Sequence, residues 1–154
     1  GELYLCRMKY RSLTSEELKE LEKEFIEYLV VNGIVAEEWE RMKQDEPTKA
    51  ERVIDLFSDV VFESVMRKTQ FLDMVTEGEI LCFQCLEEKL VLVGLRSEKT
   101  NLLVATNLSE IADGKVYTTE KPYSKAREQE VFKMTEQVCV VSNGRLFKQR
   151  SLLL

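Results

Sequence analysis

The chain has 154 residues, with 28 Asp+Glu against 22 Lys+Arg, a formal net charge of −6 and no histidine. Without an imidazole there is no Ser-His-Asp or Cys-His nucleophile and no histidine-ligated metal, so catalysis would fall to carboxylates, Lys, Tyr or Cys with shifted pKa values or a bound cofactor. The acid surplus disfavours nonspecific nucleic-acid binding, and apolar runs such as Leu90–Val93 are far shorter than the roughly 20 residues that span a bilayer.

The length fits one domain, and the 44% hydrophobic content supplies a sizeable core. We read residues 1–13 as an N-terminal extension, partly tag or non-native, since Met8 reads as a native start. Residues 14–68 form a helical part and residues 71–154 a sheet-rich part. The first residues lack a basic start followed by an apolar run, so no signal peptide is expected. Four cysteines (Cys6, Cys82, Cys85 and Cys139) in a chain this rich in apolar residues point to a reduced, cytoplasmic protein.

Thr14-Ser-Glu-Glu17 is a capping box, with a hydroxyl at the N-cap and a carboxylate three residues on. Leu18, Leu21, Phe25 and Leu29 then form the stripe of an amphipathic helix, which Asn32-Gly33 ends through a left-handed cap. A short second helix is expected to carry Val35, Trp39 and Met42 inward. Glu46-Pro47 breaks it, and Pro47 suits the first turn of a third helix running to about Lys68. That helix holds Val53, Ile54, Leu56, Phe57, Val60, Val61, Val65 and Met66, an apolar content expected of a central helix packed on more than one side.

After Thr69 the period changes to two. Ile80–Leu86 and Leu90–Leu95 read as strands joined by Glu87-Glu88-Lys89, and Leu102–Thr106 as a third strand. Asn107–Ala112 reads as a helical turn and Val116–Thr119 as an edge strand. Ser124 is the expected cap of a helix to about Gln137. Val138–Ser142 and Arg145–Arg150 flank Asn143-Gly144, the pairing a type I′ hairpin prefers. The expected fold is α+β: an N-terminal three-helix segment packed on a mainly antiparallel sheet, one later helix and a C-terminal β-hairpin.

Charge is polarised along this order. Residues 1–70 hold 11 basic and 16 acidic side chains, whereas residues 115–154 hold 8 and 4. Attraction between the two ends is the simplest use of this asymmetry, and a split surface for a charged partner is the alternative.

Glu51, Asp55, Asp59 and Glu63 recur at i+4 on the third helix and so share one face. They are the candidate metal ligands, since a Mg²⁺ or Ca²⁺ site needs no histidine. The opposing reading is a solvated stripe balanced by lysines or the basic tail, which the apolar remainder of the helix favours. Cys82-Phe-Gln-Cys85 matches C-x-x-C, but the local period of two sends the thiols to opposite faces. Zinc would have to recruit Cys6 and Cys139, so the cysteines read as buried and structural. Trp39, flanked by acids, is a candidate interaction anchor, although its spacing also suits the core. Lys121, Lys125 and Arg127 precede a helix N-terminus and are candidates for phosphate or partner contact; a solvated loop is the opposing reading. No P-loop, G-x-G-x-x-G or G-x-S-x-G occurs, and no cofactor is expected.

Met8-Lys-Tyr-Arg-Ser-Leu-Thr-Ser-Glu-Glu-Leu, with Phe25-Ile-Glu-Tyr-Leu and Asn32-Gly-Ile, resembles an uncharacterised protein family of Bacteroidota. The resemblance covers the first helix and the stretch to Trp39, and it implies no activity, ligand or site residue. The sequence therefore points to a noncatalytic bacterial interaction or accessory module engaging a protein partner or a second copy. The alternatives are a small-ligand or carboxylate-metal protein or enzyme using the Glu51/Asp55/Asp59/Glu63 stripe, and nucleic-acid binding through the basic C-terminal half.

Overall fold

Residues 8–104 and 114–154 are described by the computed structural model. They divide into a unit ending at Ser64 and a unit from Val65 to Leu154.

In the first unit Thr14 and Glu17 close the expected capping box at the start of α1 (Ser15–Glu20). Leu21 leaves helical geometry, so the single expected helix is two, the second being α2 (Glu22–Val31). After α2 the amide of Gly33 bonds to the Val30 carbonyl and that of Ile34 to the Leu29 carbonyl. Gly33 sits at φ +76 between them, a conformation glycine adopts without steric cost. In α3 (Ala36–Asp45) Trp39 and Met42 are buried. Val35, expected inward, is instead the 59% exposed N-cap. Pro47 opens α4 (Pro47–Lys68) as its spacing predicts.

Leu13, Phe25, Leu29, Trp39, Met42, Ala50 and Phe57 form this unit's core. The Phe25 ring meets Trp39 edge-on at 5.1 Å and Phe57 at 5.0 Å, the tilted geometries that aromatic quadrupoles favour. Val53, Ile54, Val61 and Phe62 of α4 pack against it. Leu56, Val60 and Val65 of α4 are exposed.

The second unit is built on a five-stranded sheet, wholly antiparallel, in the order β4-β3-β2-β1-β5. Its strands are β1 (Phe71–Val75), β2 (Glu79–Cys85), β3 (Lys89–Arg96), β4 (Lys115–Pro122) and β5 (Val140–Ser142). The fold class is thus α+β. The hairpin of β2 and β3 lies where the alternation puts it, and β4 is an edge strand as expected. One face carries Phe71, Ile80, Cys82, Val93 and Leu95, packed with Leu102 and Phe147. Leu72, Cys85 and Leu90 are buried on the opposite face. Cys82 and Cys85 therefore fall on opposite faces, as period two requires. Val131 of α5 (Arg127–Gln137) is also fully buried.

Four expectations are corrected here. Strand β1 went unread, because five residues interrupted by Asp73 give little alternation. Leu102–Val104 is a turn, not a strand; Leu102 still plugs the core, its amide donating to the Glu77 carbonyl at 2.8 Å. Residues 105–106 and the expected helical turn at 107–112 lie outside the described residues. Ser124 does not cap α5: Ala126 is its N-cap, and the amides of Ser124 and Lys125 donate to the Glu130 carboxylate at 2.7 and 3.2 Å.

The C-terminal hairpin is the fourth. Val140–Ser142 pairs with β1, and Arg145–Ser151 is a helix, α6. A type I′ turn needs positive φ at both central residues, but only Gly144 has it. Asn143 uses its side-chain oxygen to accept the Arg145 amide at 3.0 Å, starting a helix instead. Adjacent Leu146 and Phe147, both used in packing, fit a helical period and break a period of two.

Gly144 is at φ +80, and a β-carbon there would lie 2.5 Å from the Phe71 ring. Gly144→Ala should therefore destabilise the chain by about 2 kcal/mol or more, read as a lower urea midpoint at unchanged m. A midpoint equal to that of the parent would refute the left-handed entry into α6.

Candidate functional site

The carboxylate stripe on α4 is where the extended segment 8–13 docks. Asp59 accepts the backbone amides of Lys9 and Tyr10, each at 2.9 Å. Glu63 pairs with the Lys9 ammonium at 2.8 Å and accepts the Tyr10 hydroxyl. Asp55 accepts the Ser12 hydroxyl. Ser58, fully buried among them, accepts the Leu13 amide at 2.9 Å and donates to the Ile54 carbonyl. Glu51 is exposed at the other end of the stripe. Among the described residues no group of three or more His, Cys, Asp or Glu is placed to hold a metal ion. The like charges at i+4 are offset by backbone amides, hydroxyls and the Lys9 ammonium, partners that helical spacing does not reveal.

Trp39, the candidate anchor, is in the core of the first unit, with the Lys43 ammonium 5.9 Å from its ring centroid. Lys121 and Lys125 are exposed. Arg127 is turned inward, its side chain only 12% exposed. Nε donates to the Leu86 carbonyl at 3.1 Å and Nη1 to the Met66 carbonyl at 2.9 Å. Nη2 donates to the Cys85 carbonyl at 3.0 Å and to the Thr69 carbonyl, and Nη1 also reaches Glu128 at 3.4 Å. A guanidinium has five N–H donors, and each has an acceptor here. Arg127 therefore has no donor left for a phosphate; it joins the end of α4, the approach to β1, the end of β2 and the start of α5.

Tyr123 adds to this junction, donating its hydroxyl to the Leu86 carbonyl at 2.6 Å. Burial, reinforced by nearby Cys85, pushes its pKa up to about 12. Burial likewise pushes Cys85 up to about 11 and Cys82 up to about 12. Both are thus held as thiols across ordinary pH, which suits packing and not nucleophilic or redox chemistry. A groove of about 610 Å³ runs beside the junction, lined by Arg67, Gln70, Gln84, Glu87 and Glu128.

The two sheet edges differ sharply. β4 carries Lys115, Glu120 and Lys121 and ends at Pro122, the charges and proline that blunt an edge against pairing. Among the described residues β5 lies at the other end, bonded on one side only, to β1. The run Val138-Cys139-Val140-Val141-Ser142 carries no charge. Val140 is 67% exposed and Val141 49%. Beside it opens a groove of about 440 Å³ lined by Val65, Lys68, Phe71, Val141, Asn143 and Lys148. Neither lysine has a carboxylate partner among the described residues; the Lys148 ammonium lies 5.6 Å from the Phe71 ring centroid. Sequence reasoning missed this edge because it paired Val138–Ser142 with the segment that is α6. The missed signal was the uncharged run itself.

The model of a family of unknown function, DUF6495, matches residues 8–154. The chain belongs to the DUF6495 family. The match extends far beyond the first helix and the stretch to Trp39, where the sequence resemblance was read, and takes in the sheet, the Arg127 junction and the β5 edge. No curated protein and no solved structure matches the chain. Among the described residues no helix is long and apolar enough to cross a membrane.

If the Arg127 fork organises the second unit, Arg127→Met should take its donors from the Thr69 and Cys85 carbonyls, while Met66 keeps the Thr69 amide and Leu86 the Tyr123 hydroxyl, and should cost about 3 kcal/mol or more. Arg127→Lys should recover only part of that, because an ammonium cannot reproduce the planar fork. Urea unfolding would measure both variants; parent-like stability of Arg127→Met would show that the junction holds without the fork.

Proposed function

We propose that this DUF6495 chain is a noncatalytic interaction module of the bacterial cytoplasm, and that it docks an extended acidic segment of a partner protein on the β5 edge. The contrast between the edges carries the reading: one is blunted by charge and proline, the other is an exposed valine run. Strand addition at an open edge draws affinity from main-chain hydrogen bonds and selectivity from side-chain pockets. The groove beside β5 offers Val141 and Phe71 for an apolar side chain, flanked by Lys68 and Lys148 for carboxylates. A second copy pairing there about a two-fold axis would bring a second pair of lysines toward the first, and like charges at close range oppose that arrangement.

An NMR titration tests this. The isotope-labelled full chain would receive the synthetic peptide Glu-Val-Glu-Val-Glu-Val-Glu-Val. Amide shifts should concentrate at residues 138–143 and in β1, weaken as salt is raised, and vanish in the Lys68→Glu/Lys148→Glu variant. Binding insensitive to the lysines, or shifts elsewhere, would refute the acidic-segment reading. Light scattering on the free chain is the companion measurement. The reading predicts the 18.0 kDa monomer mass; a doubled mass that Val141→Lys returns to monomer would assign the edge to a second copy.

A further inference from the structure

The acid surplus of the chain is concentrated in one place. Residues 15–45, which build α1, α2 and α3 of the first unit, hold 10 acidic and 4 basic side chains, and all other residues together hold 18 of each. The whole net charge of −6 therefore belongs to these three helices. Part of their charge is neutralised locally: Glu38 pairs with Arg41 at 2.6 Å, Glu40 with Lys43 at 2.9 Å and Glu17 with Arg11 at 2.7 Å. Glu22, Glu27 and Glu37 are exposed and pair with no base among the described residues.

The same segment exposes aliphatic side chains that its core does not use. Phe25 and Leu29 of α2 are buried, whereas Ile26 and Val30 are 52% and 65% exposed. One turn apart, the two form a ridge along the helix. Val31, 85% exposed, closes α2, and exposed Val35 stands beyond the Gly33 turn as the N-cap of α3. Glu27 lies one turn before Val30 and Val31, and Glu37 lies in the first turn of α3. Lys23, the one base on α2, lies one turn before Ile26 and so bounds the acidic surface at that end.

Shape and charge together select the occupant. An i,i+4 ridge of aliphatic side chains fits between the ridges of a second helix. Unpaired carboxylates beside it favour a cationic partner, because complementary potential across an interface decides which partner docks. A second copy would bring the same acidic surface to the contact, and like charges oppose that. Anionic lipid and nucleic acid are repelled for the same reason. Four aliphatic residues are a small share of the roughly 20–30 per side in a standard interface, so apolar contact and charge have to act together. We propose that Ile26, Val30, Val31 and Val35 form a docking surface for a basic amphipathic helix of a partner protein, its apolar stripe on these side chains and its cations on Glu27 and Glu37. This surface belongs to the first unit and acts independently of the β5 edge.

The test is an NMR titration of the isotope-labelled full chain with the synthetic peptide Leu-Lys-Lys-Leu-Leu-Lys-Lys-Leu-Leu-Lys-Lys-Leu-Leu-Lys, acetylated and amidated at its ends. Its control is a peptide of the same residues in an order without a helical stripe. Amide shifts should concentrate at residues 26–37, and the striped peptide should bind about tenfold more tightly than the control. Ile26→Ser/Val30→Ser should remove that advantage while leaving the urea midpoint unchanged, since both side chains point to solvent. Glu27→Lys/Glu37→Lys should weaken binding of the striped peptide and flatten its salt dependence; this pair decides the matter if the serine pair lowers the midpoint. Equal binding of the two peptides would mean bare attraction to an acidic surface and would overturn the proposal. So would shifts centred elsewhere, or a doubled mass of the free chain in light scattering that Ile26→Ser/Val30→Ser returns to monomer, which would give the surface to a second copy.

Discussion

The second unit depends on the inward-turned guanidinium of Arg127. Arg127 gives every one of its five donors to an acceptor at a chain reversal: the Met66, Thr69, Cys85 and Leu86 carbonyls and the Glu128 carboxylate. These carbonyls end α4, lead into β1 and close β2, where backbone oxygens are short of donors; Met66 also accepts the Thr69 amide and Leu86 the Tyr123 hydroxyl. A lone positive charge buried among apolar side chains would be expensive. Surrounded by carbonyl dipoles, it becomes a rigid joint. The position of β1 follows from it, and β5 is positioned through β1.

The first unit solves a similar problem with opposite sign. Four carboxylates at i+4 on α4 would repel one another if left bare. Asp55, Asp59 and Glu63 are offset by the segment before Leu13, which supplies two amides, two hydroxyls and an ammonium. Polar backbone thus balances a charge array that looks, in sequence, like a site for a cation. In both units the conspicuous charged residues act on backbone.

The division between what sequence reveals and what it conceals follows the same line. Thr14 with Glu17, Gly33 and Pro47 act through rules that hold within one turn of chain, and each lies where those rules put it. The β2–β3 hairpin follows from alternation and a short connection. The acceptors of Arg127 were illegible because a carbonyl belongs to every residue and marks none. β1 escaped because Asp73 at its centre breaks a short apolar run of five residues, which disguises a largely buried strand. Asn143-Gly144 misled for a physical reason: the pair can make a type I′ turn or an Asx-type helix start, and packing of Leu146 and Phe147 into the sheet core decides between them. The β5 edge became visible only when its expected partner strand proved to be a helix.

Docking on β5 requires that edge to be open in the isolated chain, and amide hydrogen exchange resolved by residue reads that most directly. Amides of β1, β2 and β3 that bond between strands should be strongly protected. At least one amide within Val140–Ser142 should exchange near the unprotected rate, because among the described residues the outer side of β5 has no partner strand. Uniform protection across Val140–Ser142 in the free protein would mean that the edge is already covered, and would contradict the account.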